Sequence, residues 1–131
     1  NPVRSFDTVV DQTIDRAEGA VGAALAVQGF GVLTEIDVAA TFEAKLGVKG
    51  PPLKILGACN PTLAHRALEL DPRVALMLPC NVVLRGEGPR TSVSIADPRQ
   101  LMDDPAFAEL AAETAQRLEK ALGSLDGVVT G

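Results

Sequence analysis

Apolar positions recur at two periods along the chain, and the switches between them mark out the elements. Val10, Ile14, Ala17, Val21, Ala24 and Leu25 recur at spacings of three and four, with Asp11, Asp15, Arg16 and Glu18 off that stripe. This predicts an amphipathic helix from Thr8 to Gln28, capped by Asp7 and stopped by Gly29, after a short strand over Val3 to Phe6. Gly19 and Gly22 weaken that helix, and their small size suits close packing on a sheet. Phe30 to Asp37 alternates and is rich in Val, Ile and Thr, the pattern of a strand. A short helical segment follows over Val38 to Leu46, ended by Gly47, and Gly50-Pro51-Pro52 marks a turn. Leu53 to Cys59 predicts the next strand. Asn60-Pro61 then opens a helix, with Asn as cap and Pro at the first helical position. It runs to Leu70, before Asp71-Pro72. Val74 to Leu84 is the longest apolar run and predicts a strand interrupted at Pro79, which marks a bulge, an edge or a strand end. Gly86 to Pro89 predicts a hairpin turn and Thr91 to Ala96 the return strand. A last helix begins at Asp104 or Pro105 and reaches Leu122, with Phe107, Leu110, Ala111, Leu118, Ala121 and Leu122 on one face and Gly123 as its stop.

The resulting order, β-α-β-β-α-β-β-α with a minor helix between the second and third strands, predicts an α+β fold. It has two layers: a mixed sheet of about five strands, and helices mainly on one face. The chain reads as a single domain over residues 1–131, with a core over 3–122 and a flexible tail over 123–131. Leu53–Cys59, the following helix and Val74–Leu84 leave room for a right-handed parallel crossover. Strands such as Leu53 to Ala58 are apolar on both faces. A sheet covered on one side only would expose an apolar face, so a homodimer is expected.

Composition narrows the partners. Of 131 residues 47% are apolar, and the only aromatics are Phe6, Phe30, Phe42 and Phe107, so Val, Leu, Ile and Ala must build the core. The net charge is −5 without a basic cluster, which excludes a nucleic-acid surface. No apolar run approaches the ~20 residues that span a bilayer. No leader is visible, and the expected location is the cytoplasm, with a segment ahead of Asn1 left open.

Few groups are available for chemistry: two cysteines, one histidine, and neither Trp nor Tyr. The cysteines stand in matching settings, Cys59-Asn60-Pro61 and Pro79-Cys80-Asn81, each at or near the end of a strand-like run. Under the parallel crossover both lie at one edge of the sheet, where open α/β sheets place ligands. Cys59 directly precedes a helix, whose free N–H groups lower a thiol pKa. The residues alone leave two readings open. The pair forms a site with Asn60 and Asn81, or both thiols are small buried hydrophobes. Thr34 and Glu35 are candidate neighbours, although Glu35 also suits an ion pair with Lys45. His65 with the two cysteines matches no zinc spacing, so no metal is assigned. No nucleophile elbow, phosphate loop or dinucleotide fingerprint appears, and Gly29-Phe30-Gly31 lies between helix and strand in the wrong order for phosphate. Neither a reaction nor a cofactor is assigned.

Four blocks carry a family resemblance: Gly29 to Asp37, Lys45-Leu46-Gly47, Ile55 to Pro61, and Leu78 to Val83. In order and spacing they resemble the domain-of-unknown-function 302 family (DUF302) over roughly residues 3 to 122. The resemblance implies a compact α+β domain, often dimeric, found in bacteria and archaea, with no known reaction or cofactor. It also implies that Cys59, Asn60, Pro61, Pro79, Cys80 and Asn81 are family hallmarks, whereas His65 stands where an aromatic residue is common. The functional expectations are a small-ligand site at Cys59, Asn60, Cys80 and Asn81, a thiol redox or sulfur-handling pair, or a structural module with core cysteines.

Overall fold

The computed structural model describes residues 4–125. It is an α+β domain of five strands and five α-helices among the described residues: β1 (Ser5–Val10), α1 (Ile14–Val27), β2 (Gly31–Asp37), α2 (Val38–Leu46), β3 (Leu53–Cys59), α3 (Pro61–Leu70), β4 (Cys80–Glu87), β5 (Arg90–Ala96), α4 (Pro98–Leu101) and α5 (Ala108–Leu125). The strands form one sheet in the order β1-β5-β4-β3-β2. Every pairing in it is antiparallel, not mixed as expected.

One face of the sheet carries the core. Val10, Leu56, Val82, Leu84, Val93 and Ile95 meet Ala17, Val21 and Leu25 of α1 and Leu118, Ala121, Leu122 and Leu125 of α5. These side chains alternate along each strand, and on α1 they fall on the predicted stripe. A second, smaller cluster sits at one end of the sheet, where Leu63 and Ala67 of α3 meet Val74, Phe107 and Leu110.

α2 and α3 start and end where their cap and stop residues predict. Asn60 caps α3 through the Leu63 amide, Asp37 caps α2 through Ala40, and Gly47 ends α2 with a left-handed φ of 68°. At Gly88, φ is 65°, as tight hairpin turns require, and the strands on either side pair from Glu87–Arg90 outwards.

Four expectations are corrected. Residues 7–10 belong to β1 rather than to the first helix. Thr8, Val9 and Val10 are β-branched and pair, on an edge strand, with Val93, Ser92 and Thr91, so α1 starts after Thr13. Val74 to Met77 is not strand. Pro72 to Met77 forms a 3-10 helix capped by Asp71, and β4 begins only at Cys80, after a cis Leu78–Pro79 bond. A short apolar run does not by period alone separate a buried strand from a buried helix. With the strand shortened, α3 and the 3-10 helix together reverse the chain, and β3 and β4 pair antiparallel instead of through a parallel crossover. Finally, α5 runs through Gly123 to Leu125, beyond the expected stop. The expected strand start at Val3 and the tail over 126–131 lie outside the described residues.

The helix glycines do not serve close packing. A Cβ on Gly19 or Gly22 would meet nothing within 4 Å.

Candidate functional site

The two cysteines do reach the same end of the sheet, by an antiparallel route. Cys59 is the last residue of β3 and Cys80 the first of β4, and Ala58 pairs with Cys80. The thiols are therefore one residue out of step on neighbouring strands. Alternation puts Cys80 with Ala58 on the helix-covered face and Cys59 on the other. Both remain unbonded and half-buried.

They meet at a cavity of about 350 Å³ at this end of the two strands, open to solvent on one side. Cys59, Asn60, Cys80 and Asn81 all line it, so the sequence signature is gathered in one place. Its other walls come from Phe30, from Leu63, Ala64 and Ala67 of α3, and from Leu76 and Met77 of the 3-10 helix. Leu101 and Met102 close the side towards α4, and Leu110 and Thr114 of α5 the back. Both methionines of the chain are in this wall. Sequence reasoning did not find them, because Met77 lay inside an apolar run read as strand and Met102 follows a helix of only four residues. The signals to look for were Pro72 and Pro98, each behind an Asp that caps the turn.

Burial sets the character of Cys80. The apolar surroundings push its thiol up from 9.0 to about 11, and the nearby Cys59 adds to the rise. At neutral pH it is an uncharged S–H group. Asn60 is 6% exposed and serves structure on both sides of its amide. Its oxygen accepts from the Leu63 amide at 3.2 Å and its nitrogen donates to the Gln28 carbonyl at 3.3 Å. Asn81 is exposed at the rim.

Thr34 and Glu35 stand apart from this wall. Thr34 pairs with Gly57 on the uncovered face, where a Cβ on Gly57 would meet both its hydroxyl and the Pro79 ring. Glu35 does not pair with Lys45 as its structural reading had it. It reaches Lys54 of the neighbouring strand at 3.1 Å, alongside Glu18 at 2.9 Å. The hydrogen bond to Glu18 outweighs burial and raises the Lys54 pKa. The register explains the choice. Glu35 and Lys54 share the helix-side face of adjacent strands, while Lys45 lies on the exposed α2. His65 is exposed on α3, pairs with Glu69 at 3.4 Å, and does not line the cavity that holds both thiols. Among the described residues no group of three His, Cys, Asp or Glu side chains is placed to hold a metal ion. Nor is any helix among them long and apolar enough to cross a membrane.

Comparison with known proteins agrees with the fold. No functionally curated protein matches the chain. A crystal structure of an uncharacterized conserved DUF302 protein from Bacillus stearothermophilus superimposes with a TM-score of 0.82 at 30% identity, covering 91% of this chain and 95% of that one. The sequence pattern of the family described as "Domain of unknown function DUF302" matches residues 6–125, and the chain belongs to that family.

Proposed function

We propose that the domain binds a small molecule in the cavity at the sheet end, with Cys59, Asn60, Cys80 and Asn81 in its wall. The observation that carries this reading is the convergence of both Cys-Asn pairs on one open-mouthed cavity of about 350 Å³. Ligand sites are concave and mostly apolar, with few polar groups, and this one has that make-up. Ala64, half-buried on α3, lines the space, so Ala64→Phe would fill it without disturbing the Asn60 cap. A thermal-shift screen of small molecules should give hits on the wild type that vanish on Ala64→Phe. Hits that persist on the filled variant would place binding elsewhere.

The redox alternative is weaker at Cys80. A thiol pushed up to about 11 is a poor nucleophile at neutral pH and a poor leaving group. Unbonded thiols suit a reducing compartment such as the cytoplasm.

A second reading concerns assembly: we propose a homodimer through β2 and α2. β2 is an open sheet edge with every residue exposed. Leu33 (66% exposed), Ile36, Phe42, Leu46 and Val48 are all exposed on this strand, on α2 and just after it. Exposed apolar edges of this kind invite pairing with another chain. Residues 31–50 carry three carboxylates and two lysines, so this strip is nearly neutral in a chain of net charge −5. A second copy meets little like-charge repulsion there, and a two-fold axis places the same strip on both subunits.

A further inference from the structure

The wall of the cavity selects by charge, and its chemistry names a ligand class. Resting on the ligand-binding reading above, we infer that the occupant is a neutral, apolar molecule about the size of two fused rings. No side chain lining the cavity is charged, among the described residues. Its polar groups are largely committed to the protein itself. Both ends of the Asn60 amide are engaged, and the Thr114 hydroxyl donates to the Leu110 carbonyl at 2.8 Å. The helix N-terminus beside Cys59 offers little to an anion in the cavity. Pro61 has no N–H, Asn60 takes that of Leu63, the Ala64 N–H bonds the Asn60 carbonyl at 2.8 Å, and Thr62 is not in the cavity wall. Asn81 offers an amide only at the rim, so a carboxylate, phosphate or ammonium entering deeper would lose water and meet no opposite charge.

The remaining groups favour soft, apolar contact. The thiol of Cys80 is uncharged, and Met77 and Met102 present flexible thioethers that pack well on aromatic rings. At the mouth, Leu76 is 89% exposed and Leu101 is 46% exposed, so the approach is apolar too. Size follows from volume. An apolar cavity of about 150 Å³ accepts benzene, and this one is about 350 Å³.

The two methionines give a clean readout, because no other methionine exists in the chain and both line the cavity. Protein labelled with 13C at the Met methyls is titrated with naphthalene, naphthalene-2-carboxylate and naphthylmethylammonium at pH 7. Naphthalene should shift both methyl signals, and each charged analogue should bind at least ~100-fold more weakly. Ala64→Phe should abolish the shifts. If that variant does not fold, wild-type Cys80 should instead be protected by naphthalene, and not by the charged analogues, from alkylation at pH 10. A charged analogue that binds as well as naphthalene overturns the ligand class and leaves the cavity as the site. Silence of both methyls with all three compounds, alongside cavity-dependent hits in the thermal screen, also overturns the class alone. Silence in both experiments overturns the ligand-binding reading with it.

Discussion

The side-chain nitrogen of Asn60 lies 3.3 Å from the carbonyl oxygen of Gln28 and ties the start of α3 to the end of α1. Arg117 of α5 donates to the same carbonyl at 3.3 Å, so three helices meet on one acceptor. Gly29 makes the approach possible. Its φ is 85°, and a Cβ there would sit 2.9 Å from the Asn60 nitrogen. Asn60 is therefore a cap and a brace at once, and two substitutions separate the roles. Asn60→Ser keeps a cap but is too short for Gln28, and should cost about 1 kcal/mol. Asn60→Ala loses both and should cost about 2 kcal/mol in urea unfolding. Equal losses in the two variants would mean that the cap to Leu63 contributes nothing, and an unchanged Asn60→Ser that the contact to Gln28 contributes nothing.

Gly57 is forced by its neighbours across the strand. A Cβ there would lie 2.7 Å from Cγ of Pro79 and closer still to the Thr34 hydroxyl. Gly57→Ala should therefore destabilise by roughly 1–3 kcal/mol through overpacking. Thr34→Ala removes one of the two obstacles and should recover part of that loss. In a double-mutant cycle the two effects then fall short of additive. Strict additivity would show that Thr34 does not cover Gly57.

The local signals in the chain explain how much could be read from it. Where a capping side chain precedes Pro or a glycine ends the periodic run, as at Asn60-Pro61 and Gly47, the bounds of α3 and α2 follow from residue chemistry. The position of Cys59 at a strand end followed in the same way. The site as a whole was less legible, because its wall is tertiary. Met77, Met102, Leu101 and Thr114 come from segments whose only local signal is apolar content, and the stretch from Val74 to Met77 fits helix and strand equally. Thr34 and Glu35 were legible as opposite faces of one strand. Which face meets the cavity depended on the sheet order, and that order rests on pairings between distant segments. Even the convergence of the two thiols survived a change from parallel to antiparallel pairing, since the 3-10 helix takes up the residues that would have been strand.

Burial of Cys80 makes stability depend on pH at the alkaline end. Its thiol keeps the proton to about 11 in the folded state, against 9.0 ordinarily. Below pH ~9 both states hold the proton and the group has no effect on the balance. Between about 9 and 11 only the unfolded chain ionises, so stability falls as pH rises. Urea midpoints should drop more steeply from pH 8 to 10.5 in wild type than in Cys80→Ala, although the variant starts lower because of its lost packing. Parallel slopes would rule out a buried, proton-holding thiol. The same burial predicts that in Cys59→Ser the remaining thiol reacts slowly with a disulfide reagent at pH 8 and rapidly after denaturation.

Self-association through β2 rests on side chains that the isolated protomer leaves in water. Leu33 and Phe42 are 66% and 48% exposed, so their replacement removes little from the core of one chain. At an isologous interface each would instead be buried twice, and two lysines per subunit would face their own copies. Wild-type protein should sediment at twice 13.6 kDa at micromolar concentration, and Leu33→Lys/Phe42→Lys at 13.6 kDa with a nearly unchanged urea midpoint extrapolated to low concentration. The Ala64→Phe variant lies at the other end of the chain's chemistry, in the cavity wall, and should remain dimeric. Monomeric wild type at 100 µM, or a lysine double variant that still dimerises, would move the interface away from this edge. The first outcome would also leave β2 as an open strand protected only by the carboxylates Glu35 and Asp37.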